Sequence, residues 1–433
     1  MLVERLDAAA VQRLGGAPGA AAHLRSLVAG GESVEQAVRA IVSAVRERGD
    51  EALLEYTRRF DTDGAEPGPL VVTSEQLDRA IKQLPLDVVA GLQVAIANVA
   101  QVAQAGVGGD TTVQLPQGHQ VTLRELPVRA AAVYVPGGRA PYPSTVVMGV
   151  VSARSAGVLE VVVCAPPGAD GQVDPVILGT CRLLGVERVY AIGGAQAIAA
   201  LTYGTDTVAR VDVIVGPGNL YVQEAKRQLC GDVGIDGFAG PSDLLVVLGE
   251  DADVRLAALD LMAQAEHGTG SLVAAISTSP ATLDALAQQL EQLTAQYPAV
   301  EPAACVLVQV DSARDAIALS NEFAPEHLEL IGAEPEALAS LVQSAGCVFV
   351  GAGSATAFGD YVAGSNHVLP TGGAARFASS LSVRHFRRRM SEVRIGERAV
   401  AKLAAAGAPI ARAEGFELHA QSMQARIREN PGQ

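Results

Sequence analysis

Aromatic side chains are scarce in this chain of 433 residues, which has no tryptophan and only 4% aromatic residues. Apolar residues still make up 49% of the sequence, so we expect a core of alanine, valine and leucine. Such a core suits an α/β protein with closely packed helices. The length leaves room for about three domain-sized cores.

Positive charge is also scarce, because 32 lysines and arginines face 47 aspartates and glutamates, for a net charge of −15. This balance argues against nucleic acid or an anionic membrane as a main partner. No apolar run is long enough to span a bilayer. The opening stretch MLVERLDAAAVQRLGG predicts an amphipathic helix rather than a signal peptide. We therefore expect a cytoplasmic protein.

Two common cysteine and glycine signatures are missing. The five cysteines form no C-x-x-C, and Cys164, Cys305 and Cys347 lie in valine-rich runs, so we expect buried, reduced thiols. No G-x-G-x-x-G occurs, and the nearest approach, GAGSAT from Gly351, lacks the third glycine. A nucleotide site must therefore be argued from other turns.

The chain does contain a regular alternation of strand and helix patterns from Ala131 onwards. AAVYVPGG, LEVVVCAPP, RVYAIGG and VDVIVGPGN predict strands followed by helices, and a second alternating block begins at DLLVVLGE. This repeat predicts parallel sheets with right-handed crossovers. The predicted fold class is α/β, with two doubly wound, Rossmann-like parallel-sheet units, a helical N-terminal segment and a helical C-terminal tail. Ligands of such sheets bind beyond the carboxyl ends of the strands.

The same patterns divide the chain into predicted domains. Residues 1–24 form the N-terminal helical segment, 25–130 and 242–381 one α/β domain, 131–241 a second α/β domain, and 382–433 the tail. TTVQLPQGHQVTLREL predicts two strands joined by a turn. The basic tail has too little apolar surface for a core of its own, so we expect it to pack on something else, such as a partner subunit.

Three strand-end turns in the first alternating block combine glycines with one polar side chain each. They are YVPGG, which ends at Gly138, then GGAQ and GPGN, and their polar groups belong to Tyr134, Gln196 and Asn219. Backbone N–H groups at such turns can face a phosphate. Glycine is also common at strand-to-helix turns without any ligand, so both interpretations stay open.

The segment Gly359–Gly373, GDYVAGSNHVLPTGG, contains several side chains that can bind a ligand or transfer a proton. It shows neither strand nor helix periodicity. It offers Asp360 as an oxygen ligand or base and His367 as a group that titrates near neutrality. A glycine-rich surface loop is the plain alternative. Other segments with the same kind of residue favour a functional site.

Metal-binding and acid–base residues lie in those other segments. Gln264 and His267 share one face at a helix end, and His419 follows Glu414 by five residues. Two imidazoles with oxygen donors such as Asp360 suit Zn²⁺, although the dipole of a helix end also explains a histidine there. In APEHLEL, Glu326 and His327 form a carboxylate–imidazole pair suited to acid–base catalysis, or simply a cap and a surface histidine.

Together these segments resemble the histidinol dehydrogenase family, zinc- and NAD-dependent enzymes that end histidine biosynthesis. The matching motifs follow the family's order and cover most of the chain: YVPGG, IGGAQAIAAL, VGPGN, EAKRQL, AGPSD, AQAEHG, NEFAPEHLEL, GDYVAGSNHVLPT and EGFELHA. The family pattern more often has Glu at the position of Asp243 and Asp at the position of Gly268.

The resemblance implies a set of site residues. One zinc ion per subunit would be held by Gln264, His267, Asp360 and His419, the last of these from the partner chain of an intertwined homodimer that exchanges its tails. L-histidinol would bind this metal site and contact Ser242, His327, His367 and Glu414. NAD⁺ would contact Tyr134, Gln196 and Asn219. Residues 131–241 would be the NAD-binding domain, and the other α/β domain would hold substrate and metal.

The resemblance also implies two oxidations at one site, from L-histidinol through bound L-histidinaldehyde to L-histidine, each with one NAD⁺. His327 would take the hydroxyl proton, and Glu326 would activate water for the second step. Two alternatives are a paralogous zinc- and NAD-dependent dehydrogenase that acts on another small amino alcohol or diol, and a non-catalytic metal- or nucleotide-binding protein.

Overall fold

In the computed structural model, residues 3–28, 33–137, 140–268, 270–301 and 303–427 are described. The chain separates into two compact units, one formed by Met1–Gly106 with Arg129–Phe386 and the other by Val107–Val128 with Arg387–Gln433. Each unit is described by itself below. The domain limits predicted from the sequence remain a prediction.

The helices and strands alternate along most of the chain. The first half contains β1 (Val3–Leu6), α1 (Ala8–Arg13), α2 (Ala17–Ser26), α3 (Glu35–Arg48), α4 (Asp50–Phe60), α5 (Ser74–Gln83), α6 (Leu86–Ala105), β2 (Thr111–Gln114), β3 (Gln120–Pro127), β4 (Ala130–Tyr134), α7 (Pro143–Ser155), β5 (Glu160–Ala165), α8 (Pro175–Leu183), β6 (Val189–Ala191), α9 (Gly194–Tyr203), β7 (Val213–Val215), α10 (Leu220–Leu229) and β8 (Gly234–Ile235).

The second half contains β9 (Asp243–Leu248), α11 (Val254–Ala265), β10 (Leu272–Ser277), α12 (Pro280–Gln296), β11 (Ala304–Gln309), α13 (Ala313–Phe323), β12 (His327–Ile331), α14 (Ala333–Ala337), β13 (Cys347–Val350), α15 (Thr356–Tyr361), β14 (Arg387–Arg394), α16 (Glu397–Ala413) and α17 (Glu417–Gln424).

Two parallel sheets organise the larger unit. One has the strand order β6-β5-β4-β7-β8, and the other has the order β1-β11-β10-β9-β12-β13. In each sheet the chain first adds strands on one side of a starting strand, β4 or β9, and then crosses to the other side. Separate apolar clusters cover the two faces of the six-stranded sheet. The predicted α/β fold with two doubly wound parallel sheets is confirmed.

The N-terminal segment was predicted to be entirely helical, and this is wrong for Val3–Leu6. These residues form β1, which pairs in parallel with β11, Val3 opposite Cys305 and Leu6 opposite Val308. The stretch is too short for its periodicity to separate strand from helix. Hydrogen bonds to the edge of a sheet built from distant residues decide the outcome. The helices α1 and α2 then follow as expected.

The smaller unit combines an antiparallel sheet, in the order β14-β3-β2, with α16 and α17. The two strands predicted within TTVQLPQGHQVTLREL are therefore confirmed. The tail is not purely helical, because its basic stretch forms β14, in which Arg389 makes an ion pair with Glu125 of β3. Successive side chains of this strand point to opposite faces of the sheet, and most of them are exposed. The arginine charges therefore remain hydrated while the backbone completes the sheet. An apolar cluster of three buried alanines, with Met423 packed against it, lies on α16 and α17.

One helix, α6, contradicts the expectation that no apolar run is long enough to span a bilayer. α6 has 20 residues and is apolar enough, by length and composition alone, to match a membrane span. It packs against α7, and Asn98 on α6 donates a hydrogen bond to the carbonyl of Val362 at 2.7 Å. α6 is thus tied to the loop that carries Asp360 and His367.

The expectation of buried thiols holds for some of the cysteines but is wrong for the exposed Cys230. Cys164 and Cys305 are buried, Cys347 is half-buried, and all of the cysteines in the described ranges are free thiols. Burial raises the pKa of both Cys164 and Cys305. These thiols therefore act as small core residues.

Candidate active site

The candidate active site lies at the amino edge of the six-stranded sheet. β9 and β12 are neighbours, with His327 paired to Leu244, so the residues just before the two strands lie side by side. α11 follows β9 and returns toward the amino ends of the strands, which places Gln264 at the same edge. The predicted site residues of this sheet therefore lie at the amino ends of its strands, whereas a site beyond the carboxyl ends was expected.

Glu326 is buried and held by three hydrogen bonds. Its Oε2 accepts from Ser242 Oγ at 2.5 Å and from the Asp243 N–H at 3.1 Å, while its own N–H donates to Asp243 Oδ1 at 2.6 Å. Ser242 Oγ also accepts from Gln264 Nε2 at 2.5 Å. Burial raises the pKa of Glu326, which the nearby His327 only partly offsets. These bonds fix one carboxylate oxygen and leave Oε1 for a water or substrate.

His327 is buried between two carboxylates. Its Nδ1 lies 3.2 Å from the carbonyl of Asp243 and 3.7 Å from Glu326 Oε2. Its Nε2 lies 3.7 Å from Asp360 Oδ1 and has no hydrogen-bond partner within the described ranges. Burial disfavours the charged imidazole, but Glu326 and Asp360 outweigh it and raise the pKa of His327 to about 9. A buried ring nitrogen without a partner is available to bind a ligand.

The loop predicted to carry chemistry connects this edge to the other sheet. Asp360 lies near the end of α15, and its backbone carbonyl is 2.8 Å from His367 Nδ1. His367 Nε2 is 3.3 Å from Thr145 Oγ1 in the first turn of α7. Burial would raise the pKa of Asp360, but the adjacent His327 holds it below its usual value. Burial lowers the pKa of His367.

A divalent cation fits the donor chemistry of this cluster. The exposed His267, just beyond α11, is close enough for its charge to act on Asp360, Glu326 and His367. Because the Gln264 amide nitrogen donates to Ser242, its carbonyl oxygen is the atom left for ligation. In the described part of the chain, no three His, Cys, Asp or Glu side chains converge closely enough to hold an ion. Of the predicted ligands, only His267 and Asp360 are of these residue types and lie in the larger unit, and the ligand set remains a prediction.

Glu414 and His419 both belong to the smaller unit. Glu414 caps the end of α16, and His419 lies in α17 with its ring 5.2 Å from that of Phe416. Both side chains are exposed. Their assignment to the substrate and the metal remains a prediction.

The three predicted cofactor residues line one cavity at the carboxyl edge of the five-stranded sheet, with a volume of about 820 Å³. Tyr134 ends β4, Gln196 is buried in the first turn of α9, and Asn219 caps α10 through its Oδ1. This edge agrees with the rule for doubly wound sheets. Gly138 lies outside the described residues.

In two of the glycine turns, one backbone amide is already engaged by another group of the protein. The Gly194 N–H donates to the Tyr134 hydroxyl at 3.1 Å, and the Gly216 N–H donates to Asp236 Oδ2 at 2.6 Å. Lys226, also buried, donates to the Gly216 carbonyl and to Asp236 Oδ1. This ion pair holds the GPGN turn in place from inside the protein.

Sequence reasoning missed several residues that shape the two sites. Asp243 contacts both Glu326 and His327, although the motif flagged it only as an uncommon residue. Thr145 bonds His367, and Asp61 lines the cavity beside Gln196. No motif pointed to Thr145 or Asp61, because each acts on a residue more than 100 positions away.

Comparison with known proteins gives the same answer as the motifs. The histidinol dehydrogenase family profile matches residues 27–427. Histidinol dehydrogenase of Parasynechococcus marenigrum is 44% identical over 402 residues, 92% of each chain, and that of Rhizobium meliloti is 41% identical over 92% of each chain. The crystal structure of histidinol dehydrogenase from Elizabethkingia anophelis superimposes with a TM-score of 0.89 at 30% identity, covering 98% of both chains. The predicted resemblance and the predicted oxidoreductase class are confirmed, and the chain belongs to the histidinol dehydrogenase family.

Proposed function

We propose that this chain oxidises L-histidinol to L-histidine in two steps at one site, with two NAD⁺ as hydride acceptors. The observation that carries the proposal is the buried Glu326–His327 pair, which meets Asp360, Gln264 and Ser242 at one sheet edge. The adjoining cavity at the other sheet supplies room for a dinucleotide. Family membership supports the same assignment.

In the first oxidation, His327 takes the proton of the substrate hydroxyl while the carbon that bears this hydroxyl gives up a hydride to NAD⁺. The product is the aldehyde, which stays bound. Two carboxylates hold the pKa of His327 at about 9. A divalent cation ligated by Asp360 would neutralise part of that negative charge and lower the pKa of His327, so that it can act as a base near neutral pH.

In the second oxidation, Glu326 accepts a proton from water as that water adds to the aldehyde carbon. The hydrate then loses hydride to a second NAD⁺ and gives the carboxylic acid. Ser242 and the Asp243 amide orient one oxygen of Glu326, which leaves the other for the water. A buried carboxylate with a raised pKa suits proton transfer near neutrality.

The proposed metal is one Zn²⁺ per subunit. Gln264, His267 and Asp360 would hold it together with His419 from a second copy of the chain, so the active form would be a homodimer with exchanged tails. The ion would anchor the imidazole and amine of the substrate, which places the alcohol beside His327. Glu414 and His367 would contact the substrate as well. We propose a cytoplasmic location for the enzyme.

The test is metal content and NADH production on the purified protein. We expect about one zinc per chain, two NADH per L-histidinol consumed, loss of turnover after chelation, and recovery with added zinc. Turnover with a different amino alcohol or diol and none with L-histidinol would instead support the paralogous dehydrogenase. Stable binding of metal or NADH without turnover of any alcohol would support a non-catalytic protein.

A further inference from the structure

Asp61 is a half-buried carboxyl group of the cavity with no role in the mechanism above. It follows the last residue of α4 and lines the cavity together with Tyr134 and Gln196. In the described ranges, the only side-chain hydrogen bond to Asp61 is a weak one from Gln196 Nε2, at 3.4 Å. Burial raises the pKa of Asp61 to about 7. Its carboxyl group therefore has unused acceptor capacity inside the cavity.

Asp61 also determines which ligand groups can bind at the GGAQ turn. A side chain at Gly193 would place its Cβ 3.2 Å from Asp61 Oδ1, so the carboxylate lies directly against this turn. The Gly194 N–H is already taken by the Tyr134 hydroxyl. A phosphate at this position would meet a carboxylate of the same sign and would lose one backbone donor. A hydroxyl group, in contrast, would find an acceptor.

We propose that Asp61 is the acceptor for the ribose diol of the adenosine half of the cofactor, and that it selects NAD⁺ against NADP⁺. The inference rests on the proposed function, because it assigns one subsite of the same dinucleotide cavity. A carboxylate that accepts from the 2′-hydroxyl repels a 2′-phosphate at the same place. Asp61 is thus a specificity-determining residue outside the acid–base pair.

The position of α7 indicates which half of the dinucleotide reaches Asp61. Pro141, just before α7, lines the cavity, and Thr145 in its first turn bonds His367 of the active site. The nicotinamide must react with the substrate, so it belongs at this end. The GGAQ turn follows β6, an edge strand separated from β4 by β5. The adenosine ribose therefore belongs toward Asp61.

The test compares NAD⁺ and NADP⁺ kinetics in Asp61→Asn and in the matched control Asp63→Asn. Asp63 is exposed, lies outside the cavity lining and has a φ of 49°, which asparagine tolerates. In Asp61→Asn we expect the ratio of kcat/KM for NAD⁺ to that for NADP⁺ to fall roughly 10- to 100-fold, the range of one hydrogen bond to a charged group. The change should appear mainly in KM. Asp63→Asn should stay within about twofold of the wild type.

A second measurement needs no variant. Wild-type protein should bind ADP-ribose at least tenfold more tightly than ADP-ribose carrying a 2′-phosphate, measured by displacement of NADH fluorescence. Equal affinities, or an unchanged NAD⁺/NADP⁺ ratio in a folded Asp61→Asn that still oxidises L-histidinol, would overturn the role of Asp61 alone. A wild-type protein that neither binds NADH nor reduces NAD⁺ would overturn the proposed function and this inference with it.

Discussion

Asp243 contacts the proposed acid–base pair through three of its atoms. Its amide donates to Glu326 Oε2, its Oδ1 accepts from the Glu326 N–H, and its carbonyl lies 3.2 Å from His327 Nδ1. Arg25 lies 3.9 Å from its other carboxylate oxygen. One buried residue thus fixes the carboxylate and the imidazole relative to each other, and the motif that contains it gave no sign of this.

At the same scale, Glu326→Gln should slow the second oxidation more than the first. Glutamine can still accept from Ser242 and the Asp243 amide, but it cannot take a proton from water. We expect the second oxidation to slow by roughly 100- to 10,000-fold, the usual contribution of a general base, and the first by much less. Single-turnover measurements that start from L-histidinol and from L-histidinaldehyde would separate the steps. Equal losses in both would contradict the role of Glu326.

At the scale of elements, β12 holds α15 in place through a buried carboxyl group. Glu329 Oε1 accepts from the Thr356 N–H at 2.8 Å and from its hydroxyl at 2.6 Å, at the start of the helix that carries Asp360. Asp260, one turn before Gln264 on α11, acts on the same carboxyl group. Three elements that bear site residues therefore meet at Glu329.

This junction predicts a pH dependence of stability. Burial, followed by the charge of Asp260, raises the pKa of Glu329 from 4.5 to about 7. Because the folded state holds this proton more tightly than the unfolded state, stability should fall as pH rises from about 4.5 through 7. At about 1.4 kcal/mol per pKa unit the whole loss is roughly 3.5 kcal/mol, of which roughly 2.5 kcal/mol falls between pH 5 and pH 8, and Glu329→Gln should remove that part. Urea unfolding at pH 5 and pH 8 measures it.

The matched control for this prediction is Glu322→Gln, at an exposed position of α13. It makes the same chemical change where no burial acts on the carboxyl group, so its stability should follow the wild type across the same pH range. If Glu329→Gln also follows the wild type, then Glu329 is not the proton-binding group at this junction.

At the scale of the whole molecule, the two parallel sheets contribute different edges. The acid–base pair lies at the amino edge of one sheet, and the cavity lies at the carboxyl edge of the other. The loop with His367 and the start of α7 connect them. Two further proposed site residues, Glu414 for the substrate and His419 for the metal, lie in the smaller unit. A test at this scale therefore concerns how copies of the chain assemble.

We predict that inactive Asp360→Asn and His419→Asn chains regain activity when they are mixed, unfolded and reassembled. If a second copy of the chain supplies His419, each hybrid dimer holds one site with both ligands intact and one with neither. Separately tagged chains would allow the hybrid to be purified and assayed for NADH production. An inactive purified hybrid would indicate that His419 serves the site of its own chain.

The sequence by itself determined the alternation of strands and helices, the turns at the strand ends and the kinds of residue that make up the sites. These features follow from local periodicity and from glycine, which the sequence displays directly. The cluster of Ser242, Gln264, Glu326, His327, Asp360 and His367 was predictable as a set, because family motifs name its members.

Only the tertiary structure decided which sheet edge carries the acid–base pair and which side chains support it. β1 and β14 became strands because sheet edges built from distant segments offered them hydrogen bonds. Asp243 meets Glu326 across 83 residues, and Asp61 meets Gln196 across 135. Contacts of this kind depend on how whole elements pack together, and local sequence patterns carry no record of that packing.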